Sequence, residues 1–598
     1  MPYTWTCFDA KGGQDSVKLI DALELLKKPV SENAPALRVF LDCGFTPLHL
    51  QTFLAAHLRA LLPQHRVEIK TGLFGDLAGN LERLSPSDVE VVAVVMEWQD
   101  LDPRLGIRSL GGWRSTDLPD IVESAHQRTA QLGDTIKRLS LSIPFSICPP
   151  TLPLPPLFTT RSQQGSACEL QLREIVASFI SPISLAPGVR VVNAQCLDEL
   201  SPLGERFDVK SEVMAGFPYT LAHASIVAEI LATLIQNPAP KKGLITDLDD
   251  TLWAGILGEV GVDGLTWHLD QHTHMHGLYQ QLLASFASAG ILIGVASKND
   301  PALVEKAFVR KDLILPQESV FPFEIHWNRK SESVQRILEV WNVGSDSVVF
   351  IDDSTMEVAE VHTAFPEMEC IVFPKSDYVA FWKLLRRLRD LFGKIVVTEE
   401  DAIRLRSLRN ANVLREYSKT TPGSLDDFLQ NAGAKILFTF GKQAGDARAF
   451  ELINKTNQFN LNGRRFNESA WSSRLKNPET FLVTVTYEDK FGPLGKIAVL
   501  LGRAESKKIL VDTWVMSCRA FSRRIEHQCL KYLFEKFKAD EIVFDFEATP
   551  RNGPLQEFFK QWLDNLPAHG FFISKTSFFE KTPSLSHHVE EEAFDGNG

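Results

Sequence analysis

The run Leu244-Ile245-Thr246-Asp247-Leu248-Asp249-Asp250-Thr251-Leu252-Trp253 places two carboxylates two residues apart at the end of a short apolar segment. Strand side chains alternate, so Asp247 and Asp249 can lie close together at the carboxyl end of a strand, where α/β folds bind ligands. One carboxylate can attack phosphorus while the other handles the leaving-group proton. The pair can also help to hold Mg²⁺ through oxygen ligands. In isolation such a pair reads more readily as a surface acidic turn, so the downstream residues decide.

Three further elements follow in order. Ser297 ends the apolar run Gly294-Val295-Ala296, where a hydroxyl and nearby backbone N–H groups suit a phosphate oxygen. Lys330, in His326-Trp327-Asn328-Arg329-Lys330-Ser331, could neutralise a transferring phosphoryl group. Asp352-Asp353 ends Val349-Phe350-Ile351, and two carboxylates there suit a hard cation. Each has an ordinary structural reading alone, as a helix cap or a solvated charge. All of them in this order point to phosphoryl transfer.

This order resembles the haloacid dehalogenase (HAD) superfamily. The resemblance implies that Asp247 is the nucleophile and Asp249 the general acid/base. It further implies phosphate binding by Thr251, Ser297, Lys298 and Lys330, and Mg²⁺ binding by Asp247, Asp352 and the Asp249 carbonyl, with Asp353 behind them. The stretch between Asp247 and Ser297 is too short for a large lid, so the expected cap is minimal and the site open. The continuation Trp253-Ala254-Gly255-Ile256-Leu257-Gly258 and the runs Ser297-Lys298-Asn299-Asp300 and Thr398-Glu399-Glu400-Asp401 resemble, more narrowly, FkbH-like proteins of polyketide pathways. That likeness implies dephosphorylation of a phosphorylated three-carbon acyl donor derived from 1,3-bisphosphoglycerate. It also implies loading of the glyceryl group onto an acyl carrier protein.

The elements that must position these residues form a multidomain α/β pattern. Residues 1–35 read as a leader containing one amphipathic helix. Residues 36–236 alternate strands (37–41, 66–69, 89–96, 145–147, 189–192) with helices, which implies a parallel sheet. Residues 241–395 repeat that alternation, with strands at 243–246, 292–296, 348–351 and 369–372. Residues 396–420 read as a helical connector. Residues 421–580 change texture to consecutive strands and then helices, an α+β pattern. Residues 581–598 are polar and acidic and read as a disordered tail. The middle segment resembles the Rossmann-like HAD domain.

The first α/β segment resembles SGNH hydrolases. Its first strand is followed by Asp42-Cys43-Gly44 without a serine, so Cys43 is either a small buried side chain or a thiolate nucleophile at a helix start. The last domain resembles GNAT acyltransferases through 454–461 and 514–526. By that resemblance Asn457, Cys518, Arg519, Arg523 and Arg524 would contact an acyl-pantetheine arm. Ser522 and Arg524 stand where the family's turn carries glycine, which leaves coenzyme A binding open. The arginines 386, 387, 389, 404, 406 and 409, with Lys383, offer a basic face for an acidic carrier, or an ordinary solvated one.

Composition sets the outer limits. The chain has 598 residues, 44% hydrophobic and 23% charged, with a net charge of −12. That length implies several domains, and the acidity argues against general nucleic-acid binding. The eight cysteines are scattered without a CxxC, which fits reduced thiols in a cytoplasmic protein. No apolar run is long enough to span a membrane, and the start shows no secretory signal pattern. The expected function is a Mg²⁺-dependent phosphohydrolase with glyceryl transfer to a carrier protein. The alternatives are a plain small-metabolite phosphatase, or a scaffold that docks carrier proteins.

Overall fold

The computed structural model describes residues 17–31, 34–109, 114–156, 160–161, 163–394, 397, 401, 404–406, 408–409, 433–442, 446–456, 458–466, 468–490, 492–517, 520–521, 523–563 and 565–593. These divide into two compact units. One comprises Met1–Pro238 with Phe466–Arg474, the other Ala239–Arg465 with Leu475–Gly598.

The first unit is built on five parallel strands: β1 (Ala36–Cys43), β2 (Arg66–Thr71), β3 (Val91–Val95), β4 (Phe145–Cys148) and β5 (Val189–Val191), in the order β2-β1-β3-β4-β5. Every side chain of β3 is buried, as expected of a central strand covered by helices on both faces. The connecting helices start where the sequence provides caps. Ser166 and Glu169 form a capping box, and Thr220 accepts from His223 N.

The second unit contains two sheets. The parallel one has β6 (Gly243–Thr246), β7 (Leu292–Ser297), β8 (Val320–Ile325), β9 (Val348–Asp352) and β10 (Glu369–Val372), in the order β10-β9-β6-β7-β8. β6 is central, and its side chains are fully buried. β8 was not expected from the sequence. Pro322 interrupts its apolar run, and proline is tolerated there because β8 lies at the sheet edge. Between β6 and β7 lie short helical segments and the bridge Ala254–Thr266, with no added sheet among the described residues.

Trp341 is fully buried against β6 and β7. A Cβ on Gly243 would come within 2.5 Å of its ring, and one on Gly294 within 2.8 Å. Two glycines therefore make room for one indole, a side chain whose burial is worth roughly 3 kcal/mol.

The mixed sheet has seven strands: β11 (Lys435–Phe440), β12 (Thr480–Asp489), β13 (Gly492–Glu505), β14 (Lys508–Met516), β15 (Glu541–Glu547), β16 (His569–Ser574) and β17 (His588–Ala593), in the order β16-β15-β14-β13-β12-β11-β17. The expected disordered tail is corrected here. His588–Ala593 pairs with Lys435–Phe440 in parallel along six residues. Backbone pairing needs no apolar side chain, so the acidic composition of the segment concealed it. Most of the expected connector at 396–420 lies outside the described residues. Among the described residues no helix is long and apolar enough to cross a membrane.

A pH dependence follows from Asp42 in the first unit. It is fully buried, with one oxygen accepting from Asn80 and the other lacking a hydrogen-bond partner. Burial first, then the charge of Asp76, push its carboxyl up to about 7, against the Asn80 bond. The folded state thus holds a proton that the unfolded chain releases near pH 4. Its stabilising contribution is complete below that pH and is lost as pH rises toward 7. Asp42→Asn, which cannot ionise, is expected to flatten this loss. Between pH 5 and 8 the melting temperature of this unit should fall less in the variant, by roughly 2–4 °C per kcal/mol recovered. Parallel slopes in thermal melts of the two proteins would contradict the assignment.

Candidate active site

β6, β7 and β9 are neighbours, so their carboxyl ends converge. Asp247 follows β6, Ser297 ends β7 and Asp352 ends β9. Lys330 opens the helix Lys330–Trp341 and reaches into the same place. Its Nζ lies 2.6 Å from Asp247 Oδ1 and 2.9 Å from Asp352 Oδ2, and it donates to Ala296 O at 2.8 Å. One ammonium thereby joins the ends of three adjacent strands.

Burial alone would pull the Lys330 pKa down, yet Asp247 and Asp352 outweigh it and hold the ammonium above the ordinary lysine value. Asp352 shifts upward, through burial and then the charge of Asp247, with Lys330 opposing. Ser354 N donates to Asp352 Oδ1 and orients it.

Asp249 is held by three donors. Trp253 Nε1 (3.0 Å) and Leu257 N (3.2 Å) reach one oxygen, and Asn299 Nδ2 (2.9 Å) the other. Burial, followed by the nearby Asp247, raises its pKa despite these bonds. Asp250, at φ +50°, lies in the turn that returns Trp253 to Asp249, and just beyond it Gly255, at φ +108°, donates its N–H to Asp250 Oδ1.

Carboxylate oxygens of Asp247, Asp352 and Asp353 lie within 4.8 Å of one another. Three hard anionic oxygens at this spacing suit Mg²⁺, whose remaining positions water can fill. The residues fit such an ion. Asp353 was expected behind the metal set, whereas its carboxylate belongs to the cluster itself.

Other expectations are corrected. Thr251 is fully buried, accepts from Asp353 N at 3.1 Å and donates to Asp353 Oδ1 at 3.3 Å. It fixes the Asp353 loop and does not present its hydroxyl to a phosphate. Lys298 is paired with Glu357 at 2.8 Å. Ser297 and Lys330 stand at the converging strand ends, as expected.

Three contributing side chains were missed in the role they play. Asn299 and Trp253 hold Asp249. Lys375 bridges Asp250 (3.0 Å) and Asp353 (2.5 Å) from beyond β10. Asn299 and Trp253 stood inside recognisable motifs, but Lys375 is separated from the cluster by more than twenty residues, and nothing local marks it.

The flanking domains do not supply the expected thiol or arginine chemistry among the described residues. Cys43 is buried and donates to Phe45 O at 3.2 Å. Burial, then Asp100 and Asp42, push its thiol far up, the opposite of an activated thiolate. His223 is fully buried between Thr151 and Ser201, and burial lowers its pKa to about 3. Arg523 is buried, 3.4 Å from Asp489 and over the Tyr487 ring, and Arg524 donates to Ser584 O. Neither arginine is arranged to receive a pantetheine arm. Asn457, Cys518 and Arg519 lie outside the described residues.

The opening between β14 and β15 is also occupied. These strands pair only from Lys508 to Val511. Beyond that point residues 459–462 enter. Met516 N donates to Phe459 O, Leu461 N to Trp514 O, and Asn462 Nδ2 to both Asp512 O and Asp545 O at 2.9 Å. The diverging ends of these two strands are thus paired from within the chain. On the basic face, Arg387 pairs with Glu369, Arg404 donates to Gly290 O and Arg409 to Val320 O, so these three serve internal contacts.

No family model matches the chain, and no curated protein matches it. Among solved structures, the N-terminal part of BF1531 from Bacteroides fragilis, containing a phosphatase domain complexed with Mg, is 18% identical. It aligns over 63% of this chain and 99% of its own, with a TM-score of 0.50. The two share a fold. A Listeria monocytogenes protein named as a putative UDP-N-acetylglucosamine 2-epimerase is 10% identical over 64% of this chain and 98% of that one, with a TM-score of 0.13.

Lys330→Met tests the charge balance. Removing the ammonium leaves Asp247 and Asp352 buried without compensation, a loss of about 3–5 kcal/mol near neutral pH. Mg²⁺ binding to the folded state should recover part of it. Thermal melts with EDTA and with excess Mg²⁺ check this. An unchanged melt in EDTA would show that Lys330 does not balance the pair.

Proposed function

We propose that the parallel-sheet domain of the second unit is a Mg²⁺-dependent phosphohydrolase acting on a small phosphorylated acyl donor. The observation that carries this reading is Lys330 placed between Asp247 and Asp352, with Asp249 held beside them. The Mg named with the Bacteroides fragilis structure supports the choice of ion.

In this reading an Asp247 oxygen attacks phosphorus and the bond to the leaving-group oxygen breaks. Asp249 donates its proton to that oxygen, and the raised pKa of Asp249 favours the protonated form needed. Water then attacks the aspartyl-phosphate, gives its proton to Asp249, and releases phosphate. Lys330 and the Ser297 hydroxyl hold the phosphoryl oxygens. Trp253 and Asn299 keep Asp249 on the leaving-group side. Bound Mg²⁺ would be held by Asp247, Asp352 and Asp353 and would offset charge on the phosphoryl group.

The resemblance to FkbH-like proteins adds the fate of the product, a glyceryl group passed to the phosphopantetheine arm of an acyl carrier protein. The absence of a large cap between β6 and β7 supports a substrate presented by another macromolecule. A second reading, a plain small-metabolite phosphatase, is favoured by the flanking domains. Cys43 is buried and the β14–β15 opening is filled from within.

Three measurements test this chemistry, and the last separates the two readings. Asp247→Asn should abolish phosphate release, whichever reading holds. Asp249→Asn should slow the pre-steady-state release of the alcohol from a simple alkyl phosphate about 10²–10⁴-fold and that of acetate from acetyl phosphate far less, because an acyl leaving group needs little protonation. Equal losses in this first step would remove Asp249 from the acid role. Intact mass spectrometry of a carrier protein incubated with 1,3-bisphosphoglycerate, Mg²⁺ and the enzyme should show a glyceryl adduct. Phosphate release without an adduct selects the plain phosphatase.

A further inference from the structure

Two lysines answer the carboxylate cluster, and they do so from different depths. Lys330 is 3% exposed and stands between Asp247 and Asp352. Lys375 lies in the loop between β10 and the helix Tyr378–Phe392. Its side chain is 49% exposed, 2.5 Å from Asp353 Oδ2 and 3.0 Å from Asp250 Oδ2. Lys330 fixes strand ends. Lys375 is not needed to fix Asp353, because Thr251 already does so: its hydroxyl accepts from Asp353 N and donates to Asp353 Oδ1. What Lys375 adds at the rim is charge.

Asp247, Asp250, Asp352 and Asp353 supply four carboxylates, and Lys330 and Lys375 supply two ammoniums. Other charged or titratable groups nearby leave this difference as it is. Lys298 and Glu357 pair with each other at 2.8 Å. His276 is buried against Thr251 O and the Phe373 ring, and burial lowers its pKa, which keeps it neutral. Asp249 enters the proposed reaction carrying its proton.

The excess is therefore two negative charges, the amount that one Mg²⁺ offsets. A site loaded in this way is close to neutral and can admit an anionic phosphate. Without Lys375 the loaded site would keep one net negative charge beside the entering group. An exposed ammonium next to a metal-binding carboxylate acts on the two ligands in opposite senses, because it repels the cation and attracts the anion. Asp250 shares that ammonium and acts in the reverse sense on both.

We propose that Lys375 sets the ligand preference of the site, weakening its hold on Mg²⁺ and strengthening its hold on the phosphate of the substrate. This rests on the Mg²⁺-dependent reading above and adds to it a residue that none of the sequence motifs contains.

The test is calorimetric titration of the full chain, first with Mg²⁺ after stripping with EDTA and dialysis, then with inorganic phosphate in saturating Mg²⁺. Lys375→Met should bind Mg²⁺ about tenfold more tightly and phosphate about tenfold more weakly. Lys375→Arg keeps the charge and should behave like the intact protein toward both. Asp250→Asn should give the mirror image, weaker Mg²⁺ and tighter phosphate. Asparagine tolerates the φ of +50° at this position and can still accept from Gly255 N. Weaker binding of both ligands by Lys375→Met is what a merely structural role predicts, and it would overturn the proposal. So would affinities equal to those of the intact protein, or shifts in Asp250→Asn of the same sign as in Lys375→Met. Failure of the intact protein to bind Mg²⁺ at all would overturn the Mg²⁺-dependent reading itself, and this proposal with it.

Discussion

The second unit depends on one buried ammonium. Lys330 binds the carboxylates that follow β6 and end β9, and the last carbonyl before the end of β7. In a weakly screened interior, two nearby carboxylates repel strongly, and each costs free energy to desolvate. A cation between them turns that repulsion into attraction and fixes three strand ends in one place. The surrounding parts serve this arrangement. Trp341 packs under it against two glycines, Thr251 ties down the Asp353 loop, and Trp253 returns to hold Asp249.

The same constraint explains the site's poise. Positive charge from Lys330 balances only part of the negative charge on Asp247, Asp352 and Asp353, and Lys375 at the rim shares Asp353 with Asp250. A divalent cation at the carboxylates would complete the balance. The charges that would hold the cation are thus the ones that hold the strand ends together. In the first unit the polar groups gathered near the carboxyl end of β1 are turned inward. Asp42 binds Asn80, and Cys43 donates to its own turn. The third sheet does likewise, with residues 459–462 satisfying the open strand edges.

Much of this is legible in the sequence. Apolar runs ending in Asp247, Ser297 and Asp352 lie on neighbouring strands, and alternation of strands and helices implied parallel sheets. β8 was hidden because proline argues against a strand except at an edge, and edge position is not a local property. β17 was hidden because its composition is that of a solvated tail, while its pairing with β11 is made by backbone groups that every residue carries. Thr251 was misassigned because the motif gives a residue's neighbourhood but not the direction of its hydroxyl.

The sequence by itself determined the chemical inventory: two spaced aspartates, a hydroxyl, a lysine and a second aspartate pair, each beside an element able to hold it. These follow from local patterns of period and polarity, which short segments encode. Only the tertiary structure decided which of them meet. Burial, and not residue type, silenced Cys43 and Arg523. Distant residues such as Asn299 and Lys375 acquired roles because the chain brought them within hydrogen-bonding range. Desolvation and proximity are properties of the packed chain, and they convert a list of ionisable groups into a site.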